Sequence, residues 1–381
     1  MRRPPVNSAA TTGSPETGRL VRRLRHAVAD LRLGWPVRVE LAGGRGLLAI
    51  AADAVREPAA PAPAAAIARA RPAGELWLSA PRAAVLHLPH KGRPFVALEL
   101  AAGWDPDELA ALVDPTRDLA RPWKGPWPRV EHDAHADALA ETLFALLRAA
   151  GRLPAVLVTA GDVCAGEDAP VTVTPAMGAL LEEAAPQLVE IARAALPLER
   201  APETRIVAFR QGDGGPEHFA LLIGDPLPRR PALLRLHSEC FTGDHLGSLK
   251  CDCGDQLAGA LARLAAEPGG GILLYLAQEG RGIGLIAKLK AYALQDQGFD
   301  TIEANERLGF AADHRNFAIA AAMLKALGFT RIRLLTNNPD KVAALEAAGI
   351  TVLERVPHRF PARPENARYL DAKRRKAGHD L

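Results

Sequence analysis

Three cysteines lie close together in the sequence, at Cys240, Cys251 and Cys253. Thiolates at such spacings are common zinc ligands, and a zinc with three protein ligands keeps a fourth position open for water. A structural zinc would need a fourth protein ligand, which His237 or His245 could supply. Disulfides are the weaker interpretation, because Cys251 and Cys253 are too close to pair easily and one thiol would remain. The spacing predicts a zinc site and leaves open whether the metal is catalytic or structural.

A glycine-rich turn, Gln278 to Gly284, follows the apolar run GILLYLA and precedes a helical pattern. Glycines let backbone amides approach an anion, and the N-terminus of a helix favours negative charge. The spacing matches neither a dinucleotide-binding motif nor a P-loop, so a tight turn without a ligand explains it equally well. Arg281 within the turn favours a phosphate.

Basic residues are predicted at several junctions between strands and helices, where ligands bind in layered sheets. Asp313 is a candidate N-cap of a helix whose first turn contains Arg315, and a cation in a first turn favours an anionic partner. Thr336 ends a predicted strand, and Lys341 lies in the first turn of the next helix. A basic set of this kind suits a triphosphate. The set consists of Arg235, Arg281, Arg315 and Lys341.

The elements that position these residues change in character along the chain. Before a Pro- and Glu-containing joint at 196–204, helical stretches alternate with short apolar runs. The Ala- and Pro-rich segment 56–74 favours a loop, and a helix is predicted over about 176–195. Beyond the joint, strands alternate with helices of roughly ten to fifteen residues. The predicted fold class is α/β, with a C-terminal mixed sheet layered with helices and a smaller α+β domain before it.

A chain of 381 residues is too long for one ordinary core and suggests two domains. We predict a disordered tail over 1–18, an N-terminal domain over 19–198, a C-terminal domain over 199–372 and a basic tail over 373–381.

Composition excludes several classes of protein. The hydrophobic content of 48% and the charged content of 24% are typical of globular proteins. A net charge of +3 is too small to imply nucleic-acid or membrane binding. No apolar run is long enough to span a bilayer, and the first residues lack the apolar segment of a secretory signal. The cysteine cluster then favours metal over disulfides and a cytoplasmic location.

Residues from about 203 to 379 resemble GTP cyclohydrolase II, the first enzyme of riboflavin biosynthesis. The matching stretches are RLHSECFTGDHLGSLKCDCGDQL, QEGRGIGLIAKLKAYALQDQG, EANERLGFAADHRNF, LLTNNPDKVAALEAAGI and the terminal YLDAKRRKAGH. The resemblance implies conversion of GTP to 2,5-diamino-6-ribosylamino-4(3H)-pyrimidinone 5′-phosphate, formate and pyrophosphate. It also implies one Zn²⁺ per chain, Mg²⁺ with the GTP triphosphate, and a cytoplasmic homodimer.

The resemblance assigns roles to individual residues. The three cysteines would hold zinc, whose water attacks carbon eight of guanine, the atom released as formate. Asp313 would be the acid/base that supports Arg315, the nucleophile on the α-phosphate, and Tyr292 would take part in ring opening. Since a guanidinium stays protonated, stabilisation of phosphoryl charge is the physically simpler role for Arg315, and both roles stay open. The implied nucleotide contacts are Arg235, Leu236, His237, Ser238, Glu239, Gln256, Glu279, Gly280, Arg281, Thr301, Thr336 and Lys341.

Residues from about 20 to 190 resemble 3,4-dihydroxy-2-butanone 4-phosphate synthase, a domain often fused ahead of this enzyme. The stretches AVADLRLGWPVRVE, ELWLSAPRAAVLHLPHKGRPFVALEL and ALLRAAGRLPAVLV carry the resemblance. That family needs an acidic, metal-binding stretch where this chain has only Glu40 and Asp53, and its phosphate-binding segment is missing too. His135 is at most a remnant of the motif that follows. We therefore predict a degenerate, catalytically silent domain that serves in packing or dimerisation.

Two alternatives to GTP ring opening stay open. One is a homologue that acts on another purine or pyrimidine ring, since the same fold and zinc site would serve either. The other is a zinc-stabilised nucleotide- or nucleic-acid-binding protein without turnover, to which the basic KRRK at 373–376 gives modest support. The leading interpretation expects GTP as the substrate and neither nucleic acid nor a membrane as a partner.

Overall fold

The structure is a computed structural model that describes most of the chain. The described residues are 15–44, 46–57, 62–121, 125–160, 169–182, 188–212 and 214–366. Residues 1–14 of the predicted N-terminal tail, the predicted basic tail over 373–381 and Cys164 lie outside the described residues. Residues 15–18, which the sequence assigns to the tail, belong to the first helix. We call residues 15–182 the N-terminal half and residues 188–366 the C-terminal half.

Six antiparallel strands form the sheet of the N-terminal half, in the order β1-β2-β6-β3-β4-β5. The strands are β1 (Val37–Glu40), β2 (Gly46–Ala51), β3 (Gly74–Ser79), β4 (Phe95–Leu100), β5 (Arg129–Val130) and β6 (Ala155–Thr159). The helices are α1 (Pro15–Leu33), α2 (Ala62–Ala70), α3 (Ala80–Val85), α4 (Pro106–Val113), α5 (Ala134–Ala150) and α6 (Pro175–Glu182).

Side chains alternate between the two faces of this first sheet, as strand geometry requires. Trp77 and Val156 pack into a core with α1, α5 and α6. The neighbouring Leu76, Leu78 and Leu157 pack into a second core on the opposite face.

Seven strands form the sheet of the C-terminal half, in the order β13-β12-β10-β11-β9-β8-β7. The strands are β7 (Leu188–Ala195), β8 (Thr204–Gln211), β9 (His218–Ile223), β10 (Ala232–Ser238), β11 (Gly271–Leu276), β12 (Arg331–Leu335) and β13 (Thr351–Val356). The helices are α7 (Cys253–Ala265), α8 (Glu279–Gly282), α9 (Leu285–Asp296), α10 (Thr301–Arg307), α11 (Ala318–Ala326) and α12 (Pro339–Ala347). A mixed α/β fold with two sheets is thereby confirmed.

The parallel strands of the second sheet explain where a site can form. Strands β10, β11 and β12 run parallel, so their carboxyl ends meet at one edge. Ser238, Leu276 and Leu335 end these strands, and the cysteine loop, the glycine-rich turn and the Thr336 turn begin there. No helix in the described part of the chain is long and apolar enough to cross a membrane.

Three element predictions are wrong, and two of them lie before residue 200. The segment 56–74 contains helix α2, because alanine favours helix and Pro63 falls in the first turn, where proline is tolerated. The helix predicted over 176–195 ends at Glu182, and residues 188–195 form β7, an edge strand paired with β8. These residues join the second sheet although the sequence places them in the N-terminal domain. Pairing with β8 outweighs their local preference for helix.

The helix predicted to begin at Asp313 begins at Ala318 instead. Asp313 still accepts a hydrogen bond from the Arg315 backbone, at 2.9 Å, but the residues that follow it form a loop rather than a helix. Arg315 therefore lies before the helix and is not in its first turn.

Candidate active site

The three predicted zinc ligands converge at the start of α7. The sulfurs of Cys240 and Cys251 are 3.7 Å apart, and all three sulfurs lie within 4.8 Å of one another. Sulfurs about 2.3 Å from a tetrahedral zinc would be about 3.8 Å apart, so the spacing fits this ion. No histidine joins the cluster within the described residues. His237 instead has Nε2 3.0 Å from Asp244.

The proximity of the thiols controls their protonation. Hydrogen bonds donated by Cys251 and Cys253, and then the bond from Lys288, hold the pKa of Cys240 far below its ordinary value. The hydrogen bonds with Cys240 raise the pKa of Cys251 and Cys253. Because three thiolates this close repel one another, all three ionise together only around a cation. The donor set therefore suits a divalent metal.

Gly243 lies against the cluster. Its amide donates to the sulfur of Cys240 at 3.3 Å. A Cβ atom at this position would lie 2.9 Å from Cys251 Sγ and Cys253 Cβ, and 3.0 Å from Cys240 Sγ. Any side chain here would displace the sulfurs, so the loop requires glycine at this point.

Asp244 is a buried carboxylate that fixes the start of the cysteine loop. It accepts hydrogen bonds from the backbone of Cys240 at 3.0 Å, from His237 Nε2 at 3.0 Å and from the hydroxyl of Tyr275 at 2.9 Å. Burial, followed by the charge of Asp244, raises the pKa of Tyr275, so the phenol stays a donor. Asp244 thereby ties the loop to β10 and β11.

Lys288 on α9 links the cluster to the glycine-rich turn. Its Nζ lies 2.9 Å from the sulfur of Cys240 and 2.9 Å from Oε1 of Glu279. Burial lowers the pKa of Lys288, but the bonds to Cys240 and Glu279 outweigh it and raise the pKa. Glu279 also accepts from the backbone of Phe241 at 2.6 Å. A cation therefore faces the sulfurs and fixes Glu279 beside them.

The glycine-rich turn has a left-handed backbone at its centre. Gly280 and Arg281 both have φ of 61°, and Gly282 has φ of 89°. A Cβ atom on Gly282 would lie 2.9 Å from the carbonyl oxygen of His314, and the amide of His314 donates to the carbonyl of Arg281 at 3.0 Å. The turn therefore packs closely against the loop that carries Arg315.

Arg315 and Asp313 form an ion pair at the pocket. Arg315 Nε donates to Asp313 at 2.9 Å, and Nη2 donates at 2.5 Å. Burial raises the pKa of Asp313, but the hydrogen bonds and charge of Arg315 outweigh it and lower the pKa. The carboxylate thus remains ionised and orients the guanidinium.

Arg235 and Lys341 lie deeper. Burial lowers the pKa of Arg235 to about 10. Its Nη1 donates to the carbonyl of Leu335 at 3.0 Å and Nη2 bonds Gln256, but the buried Nε has no partner among the described residues. Lys341 Nζ donates to the carbonyl of Leu236 at 2.9 Å, while the Leu236 side chain packs in the core. Leu236 therefore offers only its backbone to this region.

Tyr292 reaches the cysteine loop from α9. Its hydroxyl lies 3.2 Å from that of Thr242, which lies 3.7 Å from the sulfur of Cys240. Burial raises the pKa of Tyr292 to about 12. The phenol therefore keeps its proton at neutral pH.

One pocket collects most of the predicted residues, while Leu236 and Asp313 lie outside its lining. The predicted residues that line it are Arg235, His237, Ser238, Glu239, Cys240, Cys251, Cys253, Gln256, Glu279, Gly280, Arg281, Tyr292, Thr301, Arg315, Thr336 and Lys341. Their individual roles stay predictions.

Comparisons with known proteins agree with this geometry. A sequence model of the family GTP cyclohydrolase II matches residues 189–357. GTP cyclohydrolase-2 of Azospirillum brasilense is 43% identical over 369 residues, which cover 94% of this chain and 94% of that protein. This chain belongs to the GTP cyclohydrolase II family.

Other relatives differ in length. GTP cyclohydrolase-2 of Escherichia fergusonii is 54% identical over 195 residues, which are 51% of this chain and 98% of that protein. A solved two-domain 3,4-dihydroxy-2-butanone 4-phosphate synthase from A. baumannii is similar over 89% of this chain and 100% of that chain, with 20% identity and a TM-score of 0.29. A similarity this weak assigns neither a fold family nor a function to the N-terminal half of this GTP cyclohydrolase II family member.

Some residues that line the pocket of this GTP cyclohydrolase II family member were not predicted from the sequence. Lys288, Gln295 and Asn305 line the pocket. Lys288 and Gln295 lie on the face of α9 that also carries Tyr292, so helical periodicity from the tyrosine could have found them. Asn305 lies on α10, and no local pattern marks it.

Proposed function

We propose that this chain hydrolyses GTP to 2,5-diamino-6-ribosylamino-4(3H)-pyrimidinone 5′-phosphate, formate and pyrophosphate, the first step of riboflavin biosynthesis. One observation carries the proposal: a single pocket brings the three-thiol cluster together with Arg281 and Arg315. A metal that activates water suits ring hydrolysis, and guanidinium groups suit a triphosphate. The family relationship supports the same reaction.

Cys240, Cys251 and Cys253 would hold zinc. When bound there, zinc lowers the pKa of water and supplies a nucleophile at neutral pH for carbon eight of guanine. Three protein ligands are typical of catalytic rather than structural zinc, and the described residues place no histidine in the cluster. Asp244 and Gly243 keep the sulfurs in place.

Tyr292 would donate a proton during ring opening. The phenol is a proton donor over the whole physiological range, because burial raises its pKa to about 12. Its hydroxyl lies 3.2 Å from Thr242 of the cysteine loop, and the side chain lines the same pocket as the three cysteines. General acids in such positions assist the departure of a ring nitrogen.

Water rather than Arg315 would attack the α-phosphorus and replace pyrophosphate there, and Arg315 would stabilise the charge on the α-phosphate. Asp313, its ion-pair partner, has a lowered pKa and is a weak base, so it is poorly suited to remove a proton from a guanidinium. We expect no covalent nucleotide when the enzyme is denatured during turnover of GTP labelled at the α-phosphorus. Label retained on a peptide containing Arg315 would instead establish the nucleophile.

One assay separates the reaction from its alternatives. Purified protein is incubated with GTP, zinc and magnesium, and formate, pyrophosphate and bound nucleotide are measured. The proposal predicts equal amounts of formate and pyrophosphate. Formate from another purine or pyrimidine nucleotide, but not from GTP, would indicate a homologue with a different substrate. Bound GTP without formate would indicate a nucleotide-binding protein without turnover.

The remaining features are proposed on the family relationship and the residues together. We propose that Mg²⁺ accompanies the triphosphate and that the protein is a cytoplasmic homodimer with reduced cysteines. We also propose that the N-terminal domain is catalytically silent. Formation of dihydroxybutanone phosphate from ribulose 5-phosphate would contradict that last proposal.

A further inference from the structure

Two neighbouring faces of helix α9 contact different parts of the protein. The face that lines the active-site pocket contains Lys288, Tyr292 and Gln295. The residues one position earlier, Ala287, Ala291 and Leu294, are buried in the core on the first sheet. Both sets repeat at the spacing of a helical stripe. One wall of the pocket is therefore a helix whose neighbouring face is buried in a core shared with the N-terminal half.

The face of the first sheet that shares this core with α9 contributes several leucines to it. Leu76, Leu78, Leu98 and Leu157 are completely buried there, each at 0% exposure. Helices α2 and α4 cover part of this face, and the C-terminal half contributes to the same core through α9, α10 and Phe310. Separation of the halves would expose apolar surface on both, which is unfavourable.

Polar contacts frame this core and fix the position of the helices. Ser79 Oγ donates to the carbonyl of Gly309 at 2.7 Å, and a Cβ atom on Gly309 would lie 2.6 Å from that hydroxyl. Lys290 on α9 forms an ion pair with Asp114 of the N-terminal half. Just beyond α9, Gln297 donates to the carbonyl of Thr116 at 3.2 Å. These contacts fix α9 to the N-terminal half at its middle, through Lys290, and just beyond its end, through Gln297.

The same helix reaches the cysteine loop on its other side. Lys288 Nζ lies 2.9 Å from the sulfur of Cys240, and the hydroxyl of Tyr292 lies 3.2 Å from Thr242. Movement of α9 away from the cysteine loop would lengthen and weaken both contacts.

We propose that the N-terminal half is a positioning element, which holds α9 where Lys288 and Tyr292 meet the cysteine loop. This role gives half of the chain a part in the reaction without requiring any catalytic residue from it. It concerns the placement of a helix and does not depend on which ring the enzyme opens.

The test uses the full chain with Asp114→Asn, which weakens the contact to Lys290 and keeps a residue suited to the turn it caps. The matched control is Glu354→Gln, which changes a carboxylate paired with Arg333 at 2.7 Å on the edge strand β13. Hydrogen exchange of peptides covering 285–296, bound zinc and the kcat and KM for formate release are measured. For Asp114→Asn we expect roughly threefold to fivefold faster exchange in α9 and a similar fall in kcat, at unchanged zinc content and KM. The control should match the unsubstituted protein.

Unchanged exchange in α9 for Asp114→Asn, or an equal change in the control, would overturn the inference. Should Asp114→Asn fail to fold, Gln297→Ala is measured instead, because it removes only the hydrogen bond to Thr116. The same two results would then overturn the inference. Exchange also distinguishes this inference from the proposed reaction. A protein that releases no formate from GTP, yet shows faster exchange of α9 in the variant, would contradict the reaction and support the positioning role.

Discussion

The two halves of the molecule carry similar polar side chains but arrange them differently. In the N-terminal half, His132 Nε2 lies 2.7 Å from Glu75, and the indole of Trp77 donates to the same carboxylate at 2.7 Å. His135 has Nε2 3.0 Å from the carbonyl of Glu40. These side chains therefore form their hydrogen bonds with partners inside the N-terminal half. In the C-terminal half, the corresponding kinds of residue converge on a pocket, which shows that chemistry depends on convergence rather than on residue types alone.

Two buried arginines make the same contrast. Arg82 in the N-terminal half donates to the carbonyl of Leu112 at 2.8 Å and forms two bonds of 2.8 Å with Asp118. Arg235 in the C-terminal half has a buried Nε without a partner among the described residues. An unsatisfied buried donor costs about 1–3 kcal/mol, which a bound nucleotide could recover. Arg82 therefore uses its hydrogen-bond donors within the protein, whereas the Nε of Arg235 is suited to donate to a ligand.

The largest effect should come from the cysteine cluster. Cys253→Ser removes one of three ligands, so we expect loss of zinc and a fall in formate release of roughly a thousandfold or more. Metal analysis and the formate assay measure both. Cys164→Ser makes the same change at the fourth cysteine of the sequence and should retain zinc and turnover. Ring opening by Cys253→Ser at the original rate would disprove the metal assignment.

Replacement of Arg315 should rank second. Arg315→Lys keeps the charge but loses the bidentate geometry with Asp313, and we expect kcat for pyrophosphate release to fall roughly a hundredfold. Arg93→Lys is the matched change in the N-terminal half, where Arg93 makes two bonds to Asp137 at 3.0 and 2.8 Å. It should leave kcat unchanged. Equal losses in the two variants would show that the pairs act only through stability.

Lys288→Met tests the cation that the sequence did not predict. Loss of the contact to Cys240 should weaken zinc binding roughly tenfold or more, since residues that orient metal ligands have effects of this size. Zinc affinity is measured by competition with a chelator. Lys288→Arg preserves the charge and should lose less affinity. Equal affinity in all three proteins would remove Lys288 from the site.

Acid should destabilise the protein through histidines of the C-terminal half. Burial, followed by the charge of Arg148, lowers the pKa of His314 to about 4, and burial, followed by Arg235, lowers that of His358 to about 4. Because the unfolded state takes up these protons near pH 6.5, the free energy of unfolding should fall as the pH drops from about 6.5 to about 4. Urea unfolding at pH 7 and pH 5 measures the loss, and His314→Gln should reduce it. An unchanged loss in this variant would contradict the assignment.

The smallest effect is expected in the N-terminal half. Glu40→Gln and His135→Gln alter two of the residues that the resemblance to the synthase points to, and neither lies in the pocket lining. GTP turnover should stay within roughly twofold of the unsubstituted protein, since neither residue lines the pocket. A large loss of kcat with normal stability would give this half a chemical role.

Sequence alone predicted the elements whose signals are local. Strand β11 and helix α9, on either side of the glycine-rich turn, follow from an apolar run and a helical pattern, and the cysteine spacing marks the cysteine cluster. Strand β7 could not be found this way, because its conformation depends on pairing with β8, far from any local signal. The contact of Leu236 with the nucleotide stays a prediction. Strand alternation points its side chain into the core, away from those of Arg235 and His237, so only its backbone could make this contact.

The most direct test of the central claim follows carbon eight of the purine. GTP labelled at this atom is given to the purified protein with one zinc per chain, and the labelled products are separated. We predict that all label lost from the nucleotide appears as formate, with one pyrophosphate released for each formate. Label that stays in a purine ring while GTP is bound or hydrolysed only at its phosphates would contradict the account.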